Sequence, residues 1–257
     1  MAFSFFMRKQ REQQAKRTKP DREKITKPIQ DTITKPIKNI LKPKEVTGDK
    51  PFYAFIDASN LFWGGKESMG FGVDYRKLKK YLEDKFNVRK IFFYNGVRIY
   101  DYEYSILDPE PIDLAKLTAH LKELQTKAEE KDKPLLEKTL SRINFYQRLE
   151  EFGYCLKIKP AKVYYDEDDE KQEKPILKAN CDVDMTYDMM RYMQQYSGIV
   201  AMTGDGDFAP VLNYLKNHDR KVVVLSRWER TAKEVKMVAG DDFIDFSKLR
   251  NIIRYRR

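Results

Sequence analysis

The stretch Thr203-Gly204-Asp205-Gly206-Asp207 sets two carboxylates one glycine apart, directly after the apolar run "GIVAM". A second apolar run, "FYAFI", ends on Asp57, and three more acids, Asp182, Asp184 and Asp188, stand within "CDVDMTYD". Other reactive groups are scarce: the chain has 2 His (His120 and His218) and 2 Cys (Cys155 and Cys181). That inventory argues against Ser-His or Cys-His hydrolysis, a histidine zinc site and a disulfide framework. Any chemistry falls to the carboxylates. Two of them about 4 Å apart repel by roughly 4 kcal/mol at an effective dielectric of about 20, so converging acids either take up protons or hold a cation. Mg²⁺ or Mn²⁺ suits such oxygen ligands and keeps waters that a substrate phosphate can displace. The ion lowers the pKa of bound water and stabilises charge on a transferring phosphoryl group. Phosphodiester hydrolysis is therefore the chemistry this pattern would support.

Competing readings explain less. Glycoside cleavage needs two acids and leaves the others without a role. A phosphatase of the haloacid-dehalogenase kind would want a second Asp two residues after Asp57, and position 59 is Ser. The acidic stretch "YYDEDDEKQEK" (164–174) lacks the glycine of a calcium-binding EF-hand loop.

The elements that must position these acids alternate between two periods. "FYAFID" (52–57), "KIFFYN" (90–95, closed by Asn95-Gly96), "YCLKIK" (154–159), "GIVAMT" (198–203) and "KVVVLS" (221–226) read as buried strands. Between them lie helical stretches. Leu78, Leu82 and Phe86 follow a capping Asp74; Leu114, Leu117, Leu121 and Leu124 form one stripe; Pro134 opens another, with Leu136, Leu140 and Ile143. A further helix spans about 182–196, and the last, 208–217, has Asp207 near its N-cap and Pro210 in its first turn. Alternating strands and helices predict an α/β fold, a mainly parallel sheet covered on both faces. In such sheets ligands bind beyond the carboxyl ends of the strands, where Asp57, Asp205 and Asp207 fall. On a helical wheel Asp182 shares the sheet-facing stripe of Met185, Met189 and Met193, a stripe best read as core. Asp184 points away into solvent, and Asp188 sits at the stripe's margin. Asp182 is thus the fourth carboxylate.

The motifs "FIDASN", "CDVDMTYD" and "MTGDGDF", in this order, resemble the NYN domain, in its LabA-like branch, within the PIN-like nuclease superfamily. "INFYQRLEEFGYCLKIKPAKVY" (143–164) and "VAGDDFIDFSKL" (238–249) are similar to its supporting segments, so the likeness covers about residues 52–249. It implies a Rossmann-like, three-layer α/β/α fold and metal-dependent endoribonuclease chemistry. The family's acidic positions fall on Asp57, Asp182, Asp205 and Asp207, as catalytic residues and as ligands of Mg²⁺ or Mn²⁺. Its polar positions fall on Asn60 and Thr203, which would orient a ligand or phosphate, and Asp188 matches a supporting acidic position. Lys178 and Arg227 flank these segments as candidate phosphate contacts, with solvated surface charge as the plainer reading. A helical insertion over about 108–141 is longer than usual for the family, and Cys181 replaces a typical aliphatic residue.

Charge divides the chain. Residues 1–50 hold 14 Lys and Arg against 6 Asp and Glu, whereas residues 51–257 are nearly balanced, at 36 against 34. In that tail "TKP" recurs at 18–20, 26–28 and 34–36, with "LKP" at 41–43, and aromatics are scarce after Phe6. Such a segment is expected to be disordered, as a linker or as a basic arm for polyanions. One domain, 51–257, should follow it. No apolar run is long enough to span a membrane, and "MAFSFFMRKQ" lacks the charge order of a signal peptide, so a cytoplasmic protein is expected. The expected partner is single-stranded RNA, with a homo-oligomer left open. The alternative is an RNA-binding scaffold of the same fold whose acids do no chemistry.

Overall fold

In the computed structural model, the described residues are 50–58, 71–105, 107, 111–164 and 176–255, with the backbone alone for 163, 164 and 176–178. The basic tail, Asn60 and the acidic stretch after Tyr164 lie outside them, apart from Lys50. The elements run β1 (Phe52–Asp57), α1 (Tyr75–Phe86), β2 (Val88–Val97), α2 (Leu114–Lys127), α3 (Lys133–Glu151) and β3 (Cys155–Pro160). A short hairpin follows, β4 (Lys162–Tyr164) and β5 (Ile176–Lys178), then α4 (Asp182–Arg191) and β6 (Gly198–Met202). The chain continues with α5 (Ala209–Asn217), β7 (Lys221–Ser226), α6 (Lys233–Ala239), β8 (Phe243–Asp245) and α7 (Arg250–Ile253).

Six strands form one sheet in the order β3-β2-β1-β6-β7-β8, and every adjacent pair is parallel. With the hairpin set aside, this is the 3-2-1-4-5-6 order of a Rossmann-like sheet. Strand alternation sorts the side chains into two cores. Ala54, Ile56, Phe93, Val200 and Met202 pack with Leu78 of α1, Leu117 and Leu121 of α2, and Ile143 of α3. Tyr53, Phe55, Phe92, Ile199 and Ala201 pack on the other face, with Met185 and Met189 of α4, Leu212 of α5 and Val235 of α6. The result is a three-layer α/β/α domain. The methionine stripe is core, as its spacing implied. Among the described residues no helix is long and apolar enough to cross a membrane.

Several boundaries differ from the sequence reading, each for a physical reason. β2 runs on to Val97, so Asn95-Gly96 does not close it. Gly96 instead admits the segment before α4: a Cβ there would lie 2.2 Å from that of Ala179. α4 ends at Arg191, where Tyr192 takes a non-helical conformation, short of the 196 expected. The edge strand β8 and the hairpin strands are three residues each, too short to show a period.

Candidate active site

The strand order reverses between β1 and β6, which makes their carboxyl ends the crevice where ligands bind in such sheets. Ile56 pairs with Met202, so Asp57 and Thr203 come next to each other at that edge. By parity both belong to the face of Tyr53, Phe55, Ile199 and Ala201, the one covered by α4, α5 and α6. Thr203, fully buried, donates its hydroxyl to Asp57 Oδ2 at 3.5 Å and accepts the Asp205 amide at 3.2 Å. One hydroxyl therefore ties the end of β1 to the turn after β6.

That turn is set by close packing. Gly204 lies against the 226–231 loop, where a Cβ would meet Ser226 Oγ at 3.1 Å and the Arg230 carbonyl at 3.2 Å. Asp205 accepts the Asp207 amide at 3.0 Å and so caps the short 3-10 turn Gly206–Phe208. The cap is thus Asp205, whereas the sequence placed Asp207 there, because that extra turn precedes α5. Asp205 and Asp207 are both exposed.

Asp182 is the first residue of α4, half-buried, with its amide donating to Asn180 Oδ1 at 3.0 Å. Burial raises its carboxyl above the ordinary 3.8, and the charges of Asp57, Asp205 and Asp207 push it the same way against Lys159. The adjoining Cys181 thiol is pushed up to about 12 by burial; Lys159 opposes this, while Asp184, Asp57 and Asp182 add to it. Asp182 thus lies within electrostatic reach of the other three acids.

Two lysines that the sequence reading did not single out hold α4 in place. Lys157 reaches Asp188 at 3.2 Å and Lys159 reaches Asp184 at 2.6 Å, both from β3. Two residues along a strand cover about 6.6 Å, and four along a helix about 6 Å, so the pairs line up as rungs. Lys159 also donates to the Asn180 carbonyl at 2.8 Å. Asp184, expected in open solvent, is therefore ion-paired. Asp188 is buried and accepts the Tyr94 hydroxyl at 3.0 Å, in keeping with a packing role. The signal was present, an alternating Lys pair on a strand and an i, i+4 acid pair on a helix, but nothing in the sequence said that they face each other.

Of the remaining candidates, Lys178 ends β5 and Arg227 follows β7. Arg227 pairs with Glu229 at 2.7 Å. Against the upward push of burial, hydrogen bonds from Ser247 and Trp228, and then the Arg227 charge, hold the Asp245 carboxyl below its ordinary value. His120 pairs with Asp101 at 3.0 Å, and His218 stacks on Tyr214.

The donor chemistry of this edge, carboxylates with a hydroxyl, fits a hard divalent cation. Among the described residues no group of three or more Asp, Glu, His or Cys side chains is placed to hold a metal ion together. Mg²⁺ does not need such a group, since it is commonly held by one or two carboxylates, waters and substrate phosphate.

The chain is similar to the low amplitude and bright protein LabA of Synechococcus elongatus, with 23% identity over 201 residues, 77% of this chain and 85% of that protein. A crystal structure of a protein of unknown function from Vibrio parahaemolyticus aligns over 77% of this chain and 95% of its own, with 16% identity and a TM-score of 0.46. The T5 D15 protein, co-crystallised with metal ions, aligns over 72% and 59%, with 12% identity and a TM-score of 0.38. The NYN domain matches residues 52–249, from the first strand to the turn after the last, and the chain belongs to that family.

Proposed function

We propose that the protein is a divalent-metal-dependent endoribonuclease acting on single-stranded RNA in the cytoplasm. The observation that supports this most is the convergence of Asp57, Asp182, Asp205 and Asp207, from three separate elements, on the carboxyl edge of β1 and β6. Membership in the NYN family, within a superfamily of nuclease type, points the same way.

In this reading Asp57, Asp182 and Asp205 hold one or two Mg²⁺ or Mn²⁺ ions. When bound, the metal supplies a lowered water pKa and stabilisation of charge on the phosphoryl group. Asp207, two residues beyond the Asp205 cap and exposed, orients water or completes the ligand set. Thr203 fixes the Asp57 carboxylate through its hydroxyl. Asn60 and Lys178 are proposed phosphate contacts on the flanks. Arg227 acts from the loop packed on Gly204. That loop also carries Trp228, 53% exposed, with Lys236 Nζ 4.6 Å from its ring centroid. Aromatic rings with nearby cations suit unpaired bases, which favours single-stranded substrate.

The test is cleavage of labelled single-stranded RNA with Mn²⁺, beside Asp205→Asn and beside a chelator. Asp205→Asn should lower the rate by at least about a hundredfold, the upper end for groups that merely support metal ligands. Equal products from both proteins would overturn the assignment. The open arrangement of the acids gives the scaffold reading its own prediction: RNA binding without turnover, unchanged by Asp205→Asn.

A further inference from the structure

A groove of about 670 Å³ opens beyond the carboxyl ends of β2 and β3, between them and helices α2 and α3. It lies on the same edge of the sheet as Asp57 but toward the opposite helical layer. Leu124 of α2 and Leu135 of α3 give it an apolar wall. Arg98, the residue after β2, lies across the Tyr100 ring, its guanidinium carbon 4.4 Å from the centroid. Arg98 Nη1 is buried and meets no hydrogen-bond acceptor among the described residues. An orphaned buried donor is costly, and because Arg98 lines the groove, a ligand acceptor that reached this donor would relieve the cost. Tyr100 is held in the left-handed backbone region, at φ 56. That conformation is strained for a non-glycine residue and persists only where its surroundings hold it.

The charges around the rim narrow the ligand class. Asp101 and Asp132 border the groove beside Lys127. Lys127 is already paired with Glu123 at 2.6 Å. Among the described lining residues, a phosphate or carboxylate would therefore meet two carboxylates and, beside the paired Lys127, the Arg98 guanidinium. A flat, neutral heteroaromatic ring with carbonyl or ring-nitrogen acceptors suits the apolar wall, the stacked Arg98–Tyr100 pair and the orphaned N–H together. We propose that this groove is a nucleobase pocket, which takes one unpaired base of an RNA whose backbone crosses the acidic edge. The assignment to RNA rests on the ribonuclease reading; the preference for a base rests on the groove alone. The extra helix α2 supplies one wall, so the pocket gives that segment a task in substrate recognition.

Ligand-observed NMR titrations of the full chain with the four ribonucleoside 5′-monophosphates test this, with ribose 5-phosphate and inorganic phosphate as base-free probes. At least one nucleotide should bind at millimolar concentration and the base-free probes should not. Arg98→Met keeps the side chain's packing on Tyr100 and loses the donor; it should weaken binding about tenfold. Ala128→Trp, which fills the groove from its rim, should weaken it at least as much, with thermal melts confirming that both variants fold. Asp205→Asn should bind nucleotide as the parent does. The proposal is overturned if no nucleotide binds, if ribose 5-phosphate binds equally well, if both folded variants bind like the parent, or if Asp205→Asn abolishes binding. Nucleotide binding by a protein that cleaves no RNA would overturn the nuclease reading and leave the pocket standing. Cleavage by a protein that binds no nucleotide would do the reverse.

Discussion

Removing the Asp188 carboxylate tests whether the Asp182 helix is held in position from behind. Asp188 is 3% exposed and accepts the Tyr94 hydroxyl at 3.0 Å. Tyr94 pairs in register with Asp57, so this bond ties α4 to the strand beside the first acid. Desolvation raises the Tyr94 hydroxyl pKa well above its ordinary value and Asp188 adds to it, so Tyr94 remains a donor at any working pH. A hydrogen bond to a charged acceptor is worth about 1.5–3 kcal/mol, and stranding a buried hydroxyl adds to the loss. The Lys157 contact, 3.2 Å long with the lysine side chain 34% exposed, contributes about 0.5 kcal/mol after solvent screening. Asp188→Ala should therefore cost about 3 kcal/mol, or about 6–12 °C in Tm for a chain of this size. Asp188→Asn, which keeps an acceptor and loses the charge, should cost about 1 kcal/mol. Tyr94→Phe combined with Asp188→Ala should destabilise less than the two single changes added together, by about 1–2 kcal/mol. The assay is thermal and urea unfolding of the parent and all four variants, with RNA cleavage measured in parallel. Cleavage by Asp188→Ala should fall about tenfold, as expected for a group that orients metal ligands. A Tm unchanged in Asp188→Ala, or strictly additive single effects, would refute the reasoning.

The acid cluster predicts an unusual gain. Unfolded Asp182 ionises near 3.8 and folded Asp182 higher, so ionisation penalises the fold; the penalty is absent below 3.8 and complete above the folded pKa. Asp182→Asn should thus raise Tm in metal-free buffer at neutral pH, lose that advantage in acid, and abolish the stabilisation that Mn²⁺ gives the parent. Gly96→Ala, with its Cβ 2.2 Å from that of Ala179, should cost about 1–3 kcal/mol and lower cleavage by displacing the segment before Asp182. Adding Ala179→Gly should restore both. Deleting residues 1–50, which hold 14 Lys and Arg, should weaken RNA binding and flatten its salt dependence, as a filter-binding titration over salt concentration would register.

What could be read from the sequence follows from which interactions are local. The β1, β6 and β7 runs are continuous and apolar because both faces of those strands are buried, and the sequence marks them plainly. The Asp74 cap, Pro134 in the first turn of α3 and the Met185 and Met189 stripe are local too, and each appears where its spacing put it. Spacing also favoured Asp182 over Asp184 as the acid that feels the other three. What escaped depends on neighbours distant in sequence. Gly96 looked like a turn residue because Gly is ambiguous until the approach of Ala179 is known. Asp184 looked solvated because Lys159, 25 residues earlier, was not visibly its partner. The orphaned Arg98 donor is no more visible in sequence, since an arginine after a strand is unremarkable until the helices around it are placed.

The arrangement also explains why so much of the surrounding fold is spent on hydrogen bonds. Carboxylates drawn together without a cation destabilise the chain that presents them, and the Asp182 carboxyl, raised first by burial, is raised further by that repulsion. Two of the four acids, Asp57 and Asp205, are anchored by neutral donors that leave their charge in place. Thr203 donates to Asp57, the Asp207 amide to Asp205, and the Lys159 ammonium fixes Asp184 and the Asn180 carbonyl, leaving the Asp182 carboxylate to face the cluster. Had Lys159 paired with Asp182 itself, the repulsion would be relieved, and with it the attraction for a divalent ion. Placing the lysine one rung away keeps the helix attached and the negative potential intact. Lys159→Met should consequently loosen α4 while leaving the cluster more negative, so that cleavage falls even though metal affinity, read by calorimetry, does not. A fall in metal affinity together with stability would mean that the lysine's role is simply to hold the ligands in place.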